Sequence, residues 1–421
     1  MATAVVIGAG IAGLLTAKAL EDKYSRVIVV ERDRLPAEPE FRSGVPQGRH
    51  AHGLLLRGAQ IMEDFFPGLR DELVAAGAQL MDAGEARVLT PYGWAAQGET
   101  GLPMLSVGRP FLETAIRHRV SAEFADNTNV VGFRFDGSTV DGVRVRPKDT
   151  GAEEVIEADL VVMAAGRSAK LPEWLKAAGV EVPEPVSVDS RTGYATRLYA
   201  LPHNDKVAIG QLISAPVQRR GCSATRIEGG KLLVTLQGAD GDHPSNDPEE
   251  FMAFARSLDV GLAEILDGLE PLTPIYLYAR TASSMRAYEK VSDWPAGLIA
   301  VGDSVVTLNP LYGQGMTVAA LEAELLSKHT DFSAEGVRAF QAALAKAVAG
   351  PWGMSAGADA QWAPDFKPGL MGKLMGRWQV ALTQDVDMVR RFLSVMHLQA
   401  PPTSLIGPSA LWRLRKAKIS A

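Results

Sequence analysis

The segment from Met1 to Glu31 constrains this chain more than any other part of it. Ala4, Val5, Val6 and Ile7 form a short apolar run of the kind that is buried on both faces of a parallel sheet. Gly8-Ala9-Gly10-Ile11-Ala12-Gly13 follows at once in GxGxxG spacing, and Leu14, Leu15, Ala17, Ala19 and Leu20 continue it as a helix. Arg26 to Val30 repeats the buried-strand pattern and ends at Glu31, next to Arg32. Strand, glycine triplet, helix, strand and acid, in that order, are the parts of a βαβ dinucleotide site. Gly8 permits the tight turn, Gly10 lets a pyrophosphate approach bare backbone, and Gly13 lets the helix pack on the strand. The helix N-terminus, with Ile11 and Ala12 in its first turn, then faces the phosphates. Glu31 is placed to accept hydrogen bonds from a ribose hydroxyl and would repel a 2'-phosphate. These residues alone do not distinguish FAD from NAD.

That distinction comes from Gly297 to Leu326, GLIAVGDSVVTLNPLYGQGMTVAALEAELL: a buried strand, a Gly302-Asp303 pair, a loop, and a long Ala/Leu/Glu helix. On these residues the chain resembles the class A flavoprotein monooxygenases. The resemblance implies that Gly302 and Asp303 reach the ribityl chain and pyrophosphate of FAD, with Pro310, Gly313, Gly315 and Met316 beside the isoalloxazine. The chemistry is coherent, because reduced flavin is anionic around N1 and O2 and the N–H groups of a helix N-terminus stabilise negative charge. Phe41 to His52, FRSGVPQGRHAH, is similar to the segment after the ribose-binding acid in p-hydroxybenzoate hydroxylase-type enzymes. It implies that Arg42 reaches the phosphate or ribityl region and that Gly44, Val45, Pro46 and Gln47 pass the ring. Arg109, in SVGRPFLETAIRHRV, resembles an arginine that opens a cofactor-supporting helix. Where many class A hydroxylases carry Asp-Gly, this chain has Ala165-Gly166, so Gly166 is expected near the cofactor without the usual NADPH-handling carboxylate.

The string GVPQGRHAHGLLLRGAQIMEDFFPGL, with AAGRSAKLPEWL and GYATRLY, resembles a branch containing polyether-type flavin epoxidases and, more remotely, squalene epoxidase. The implied architecture is α/β: a Rossmann-type, GR2-like FAD-binding domain from residues 1–82, 101–182 and 286–332. A mixed β-sheet substrate domain is expected from 83–100 and 183–285, and a helical C-terminal region from 333–421. The implied activity is that of an NAD(P)H- and O2-dependent monooxygenase. A flavin C4a-hydroperoxide would epoxidise or hydroxylate an apolar polyene, polyketide or terpenoid-like molecule in secondary metabolite biosynthesis. No second GxGxxG follows a strand, so the reductant is either transiently docked NAD(P)H or supplied by a separate flavin reductase. Two other readings share the cofactor fold: a reductase of the geranylgeranyl reductase type, and a non-catalytic lipid escort. The halogenase motif Trp-x-Trp-x-Ile-Pro is absent.

With 421 residues the chain needs more than one core. Its net charge of −6, with basic residues scattered, excludes the electrostatic footprint of a nucleic-acid binder. The single cysteine, Cys222, and the absence of Cys/His clusters at ligand spacing give no disulfide and no metal site, as expected of a cytoplasmic protein. Strands are expected over Gly193 to Leu201, Val207 to Ser214 and Lys231 to Gln237. In the first of these, alternation sets Arg197 and Tyr199 against Tyr194 and Thr196 on opposite faces. One face looks into the pocket, and alternation does not choose between them; Arg197 and Tyr199, with His50 and His52, are carried as the candidate pocket residues, and catalysis itself is assigned to the flavin. His50 and His52 would share one side of an extended stretch. Phe340, Leu344 and Val348 have helical spacing, and the basic, apolar end from Leu411 to Ile419 reads as a docked or frayed helix in preference to a membrane contact.

Overall fold

A computed structural model describes residues 2–367 and 369–417. The strand Thr3–Ile7 lies at the middle of a five-stranded, wholly parallel sheet in the order Leu298–Ala300, Leu160–Met163, Thr3–Ile7, Arg26–Val30, Glu123–Ala125. Ala4 to Ile7, Val27 to Val30 and Leu160 to Met163 are all buried, with none of the alternation of a half-solvated strand. That pattern belongs to a parallel sheet covered on both sides. The helix Ile11–Leu20 packs against the strands and against the helix Gly315–Lys328. The two segments that carry the cofactor signature, at opposite ends of the cofactor-binding sequence, are therefore neighbours.

Between Glu123–Ala125 and Leu160–Met163 the chain makes a three-stranded antiparallel sheet of Thr128–Asp136, Thr139–Pro147 and Glu154–Glu157. A seven-stranded mixed sheet runs in the order Tyr276–Tyr278, Gly193–Ala200, Lys231–Gly238, Arg220–Ile227, Ala208–Gln211, Arg87–Thr90, Gly93–Trp94. All its pairs are antiparallel except Ala208–Gln211 with Arg87–Thr90. The three strands expected from the sequence are present within a few residues. Arg220–Ile227 was not foreseen, because Arg220, Ser223, Thr225 and Arg226 break its apolar pattern. Ala195, Tyr199, Cys222, Ala224, Leu232, Val234 and Leu236 on one face of the sheet form a core with Phe251 and Phe254 of the helix Pro248–Arg256 and Leu262 of Leu262–Leu266.

The helix Ala334–Asp359 buries Phe340, Leu344 and Val348 in the main core, as their spacing predicts. Leu370–Leu382, Val386–Met396 and Pro408–Lys416 then gather around Trp378 in a core of their own. Lys418 and Ile419, part of the basic end, lie outside the described residues. Among the described residues no helix is long and apolar enough to cross a membrane. The stretch from Ser304 to Leu321, which has no formal charge, holds the short strand Val306–Thr307, the 3-10 turn Pro310–Tyr312 and the start of the helix Gly315–Lys328.

Candidate active site

Three glycine positions shape the turn at the C-terminal edge of the parallel sheet. Gly8 has φ 107°, and a Cβ there would lie 2.6 Å from the Ala164 carbonyl oxygen. Gly13 has no room either, since a Cβ would sit 1.8 Å from the Gly8 oxygen. At Gly10 a Cβ would meet nothing within 4 Å, so bare backbone here borders open space. Gly10 caps the first helix without a side-chain hydrogen bond, and the first turn contains no acid. The Gly315 helix likewise begins with no side-chain cap and no acid, and its Gly315 is exposed with open space at the Cβ position. Two adjoining helices thus present unsatisfied N–H groups, the feature that binds anionic oxygens. Gly302, at φ 64°, brings the second segment onto the first: a Cβ there would lie 2.8 Å from that of Ala12. Gly166, at φ 73°, also borders open space.

The acid at the end of the second strand is built into a buried charge cluster. Glu31 accepts hydrogen bonds from the N–H groups of Ala9 (2.7 Å) and Asp33 (3.0 Å), which tie it to the glycine loop. Arg42 is buried beside it, 3.4 Å from Glu31 and 3.7 Å from Asp33. Its Nη2 donates to the Ala9 carbonyl (3.0 Å) and to Glu113. Burial pulls the Arg42 guanidinium down, and Glu113, Glu31 and Asp33 more than offset this, holding it above its ordinary value. Nη1 alone has no hydrogen-bond partner. Glu113 comes from the helix Arg109–Arg117, where it also receives Arg109 Nε at 3.3 Å. Arg32 is exposed, with its Nε beside Gly44. The Gly44 N–H donates to Asp33 (2.6 Å), and a Cβ there would strike that carboxylate. Val45, Pro46 and Gln47 lead into the 3-10 turn Pro46–Arg49.

Around the second segment, Pro310–Tyr312 form a 3-10 turn ended by Gly313 at φ 65°, which lies against Gly53. Met316 is buried in the main core. Asp303 lies among Arg167 and Arg109; burial pushes its carboxyl up while both arginines pull it down. Glu322, two turns into the Gly315 helix, accepts the Gly302 N–H at 2.5 Å. Burial pushes Glu322 up to about 8, partly opposed by that hydrogen bond and reinforced by Asp303. Glu322 Oε1, Gln314 Oε1 and Thr317 Oγ1 are buried without a hydrogen-bond partner.

Above these lies the seven-stranded sheet, and here the structure corrects the sequence reading. Tyr199 belongs to the core on the far face, and Arg197 donates from Nε to the Thr273 carbonyl and stacks on Tyr199 at 5.7 Å. It is the opposite set, Tyr194 and Thr196, that faces the two cofactor segments. Tyr194 Oη donates to Asn309 Oδ1 (3.1 Å), and Thr196 Oγ1 is 2.7 Å from both His50 Nδ1 and Thr235 Oγ1. Alternation defines two faces, and only the helices covering one of them decide which looks inward. The two histidines also differ from an extended pair. They follow a 3-10 turn, and while His50 reaches Thr196 between Tyr194 and Tyr278, His52 Nδ1 turns back to the His50 carbonyl at 2.8 Å. Burial, helped by Arg49, lowers His50 to about 4; burial, then Arg109, lowers His52 to about 3. Both are neutral near pH 7. Tyr194, Thr196, Tyr278, Arg167 and Asn309 were not foreseen as site residues. A tyrosine or threonine alternating along a strand carries no signal of which side the ligand occupies. Among the described residues no group of His, Cys, Asp and Glu has metal-binding geometry.

The fold is that of the class A flavoprotein monooxygenases. The chain belongs to the family defined by the FAD binding domain, whose model matches residues 1–329. It is 35% identical over 342 residues, 76% of this chain and 71% of the relative, to Protein Rv3254 of Mycobacterium tuberculosis. A flavoprotein/dehydrogenase from Cytophaga hutchinsonii shares the fold with a TM-score of 0.69 at 16% identity, covering 98% of this chain and 97% of that one. The p-nitrophenol 4-monooxygenase PnpA from Pseudomonas putida DLL-E4 shares it with a TM-score of 0.65 at 18% identity, covering 95% and 100%.

Proposed function

We propose that this protein is an FAD-dependent monooxygenase that epoxidises or hydroxylates an apolar small molecule. The observation that carries the reading is the meeting of Gly302 and the Gly315 helix with the first helix, across the open backbone at Gly10. An FAD fits these residues. Two uncapped helix N-termini and the open spaces at Gly10, Gly166 and Gly315 are what a long anionic cofactor requires, and the buried Nη1 of Arg42, ion-paired to Glu31 and Asp33, still has no hydrogen-bond partner. Gly8, Gly10, Ile11, Ala12 and Gly13 would hold the pyrophosphate, Glu31 with Arg32 the adenosine ribose, and Arg42, Arg109 and Asp303 the phosphate and ribityl region. Pro310, Gly313, Gly315 and Met316 would border the isoalloxazine, with Val45, Pro46 and Gln47 on its other side. Bound flavin supplies the redox chemistry and the activation of dioxygen.

The protein's own part is position and dryness. The inner face of the seven-stranded sheet would cover the ring, so that residues 83–100 and 183–285 serve as the substrate domain. Its polar groups are paired among themselves: His50 with Thr196, Thr196 with Thr235, Thr235 with the Ala51 N–H, Tyr194 with Asn309. Few donors are left for a substrate, which favours an apolar one. The missing carboxylate before Gly166 favours transient NAD(P)H docking or a partner reductase over a built nicotinamide site.

The test is an anaerobic and an aerobic assay of the FAD-loaded protein with NAD(P)H, a flavin reductase and a panel of apolar alkenes under labelled dioxygen. One labelled oxygen atom in the product is expected. Saturated product formed equally well without oxygen would replace this reading with that of a reductase. A protein that takes up no FAD yet binds lipid would replace it with that of an escort.

A further inference from the structure

Directly before the Pro310–Tyr312 turn lies a buried polar network that the cofactor assignment does not use. Its centre is Asp359, the last residue of the helix Ala334–Asp359 and 1% exposed. Asp359 Oδ1 accepts from Asn309 Nδ2 (2.8 Å) and Tyr312 Oη (2.9 Å), and Oδ2 is 2.8 Å from Ser283 Oγ. Ser283 Oγ also accepts the Asn309 N–H (3.1 Å) and stands 3.0 Å from Ser355 Oγ. Asn309 Oδ1 in turn receives Tyr194 Oη and the Leu311 N–H. Asn309, Ser283 and Ser355 are fully buried. Among the described residues no lysine, arginine or histidine pairs with Asp359; the titratable groups that face it are Tyr194 and Tyr312. A buried carboxylate without a cation is a costly arrangement.

The network has two complete hydrogen arrangements. With Asp359 ionised, the Ser283 hydroxyl donates to Oδ2. With Asp359 protonated, Oδ2 donates to Ser283, whose own hydrogen turns to Ser355. Asn309 and Tyr312 donate to Oδ1 in both, so gaining a proton moves no heavy atom. The half-buried Tyr312 connects the carboxyl to the outside.

We propose that Asp359 is a proton-holding residue coupled to the redox state of the flavin, binding a proton when the neighbouring ring becomes anionic and releasing it when the ring is reoxidised. The proposal rests on the FAD reading above. Oxidised FAD takes two electrons from the reductant and one proton from solvent to give the reduced anion. The carboxylate takes a second solvent proton, so the site's net charge changes by one unit less than it otherwise would. Burial holds the Asp359 carboxyl above its ordinary value, partly opposed by the hydrogen bonds of Ser283, Asn309, Tyr312 and Ser190. Asp359 holds this position through the turn and is a positioning and charge-buffering residue, with no claim to touch substrate.

The test is the midpoint potential of the FAD-loaded protein measured against pH between about pH 6 and 9, whose slope counts protons taken up per electron pair. Wild type is expected to take up as much as about one proton more than Asp359→Asn in part of that range. The asparagine keeps Oδ1 for Asn309 and Tyr312 and presents its NH2 to Ser283, so the turn is preserved. A purely structural aspartate would leave the two slopes equal at every pH, and that result overturns the proposal. Should Asp359→Asn not fold, Tyr312→Phe serves instead. Removing one donor to the charged form moves the extra uptake to higher pH, and an unmoved profile refutes the coupling. Wild type that takes up no FAD sinks the functional reading itself, whereas bound FAD with identical slopes sinks this inference alone.

Discussion

Replacing Gly10 by alanine separates the cofactor role of the glycine loop from its folding role. Gly10 has φ −76° and ψ 179°, which alanine adopts without strain, and its Cβ would meet nothing within 4 Å. The apoprotein should therefore be no less stable, and about 0.4–1 kcal/mol more stable from the lost freedom of the unfolded chain. The new methyl occupies the space through which a pyrophosphate would reach backbone N–H groups. Loss of a charge-assisted hydrogen bond worth about 1.5–3 kcal/mol weakens FAD binding roughly 10- to 100-fold. Gly13→Ala is the counterpart. Its Cβ would lie 1.8 Å from the Gly8 oxygen, so the strand and helix must separate. A cost of about 1–3 kcal/mol or more in the apoprotein is expected even though alanine is the better helix former. Thermal unfolding of the two apoproteins, with FAD titrations followed by flavin fluorescence, reads both effects. A Gly10→Ala protein that binds FAD as wild type does would refute the phosphate-loop assignment.

Thr196→Val should cost about 1–3 kcal/mol, because it strands His50 Nδ1 in a buried face and leaves Thr235 with only the Ala51 N–H; Tyr199→Phe on the far face should leave turnover unchanged, and both are checked by denaturant unfolding and steady-state rates. Acid should destabilise the fold through its neutral histidines. His50 and the buried His397, whose Nδ1 accepts the Leu56 N–H at 3.1 Å, are lowered to about 4 by burial, so their stabilisation is complete above the unfolded value near 6.5 and is lost as pH falls through about 4. On the order of 2 kcal/mol per histidine should disappear between pH 7 and 5, and His50→Gln should flatten that slope in urea unfolding. Glu322 has the opposite sign. Raised to about 8, it contributes stability below about pH 4.5 that is lost as pH rises through 8, so Glu322→Gln should gain stability over wild type at pH 8 and lose that advantage at pH 5.

What the sequence alone determined is the part of the molecule whose chemistry is local. The turn at Gly8, the open approach at Gly10, the close packing at Gly13 and the acid at Glu31 lie within one βαβ unit, and their spacing is their geometry. The buried strands and the Phe340, Leu344, Val348 stripe were legible for the same reason, since a period of two or 3.6 residues states which positions share a face. Periodicity does not state which face looks inward. Arg197 and Tyr199 alternate with Tyr194 and Thr196 as perfectly as the reverse choice would, and the helices Pro248–Arg256 and Leu262–Leu266 decided it by covering one side. Nor does sequence pair groups across distance. Arg42 with Glu113, Glu322 with the Gly302 N–H, and Asp359 with Asn309 and Tyr312 each join separate elements. Each is a buried polar or charged group whose partner only the packed chain supplies, because burial makes an unpaired group costly and so selects whichever partner the fold brings within reach.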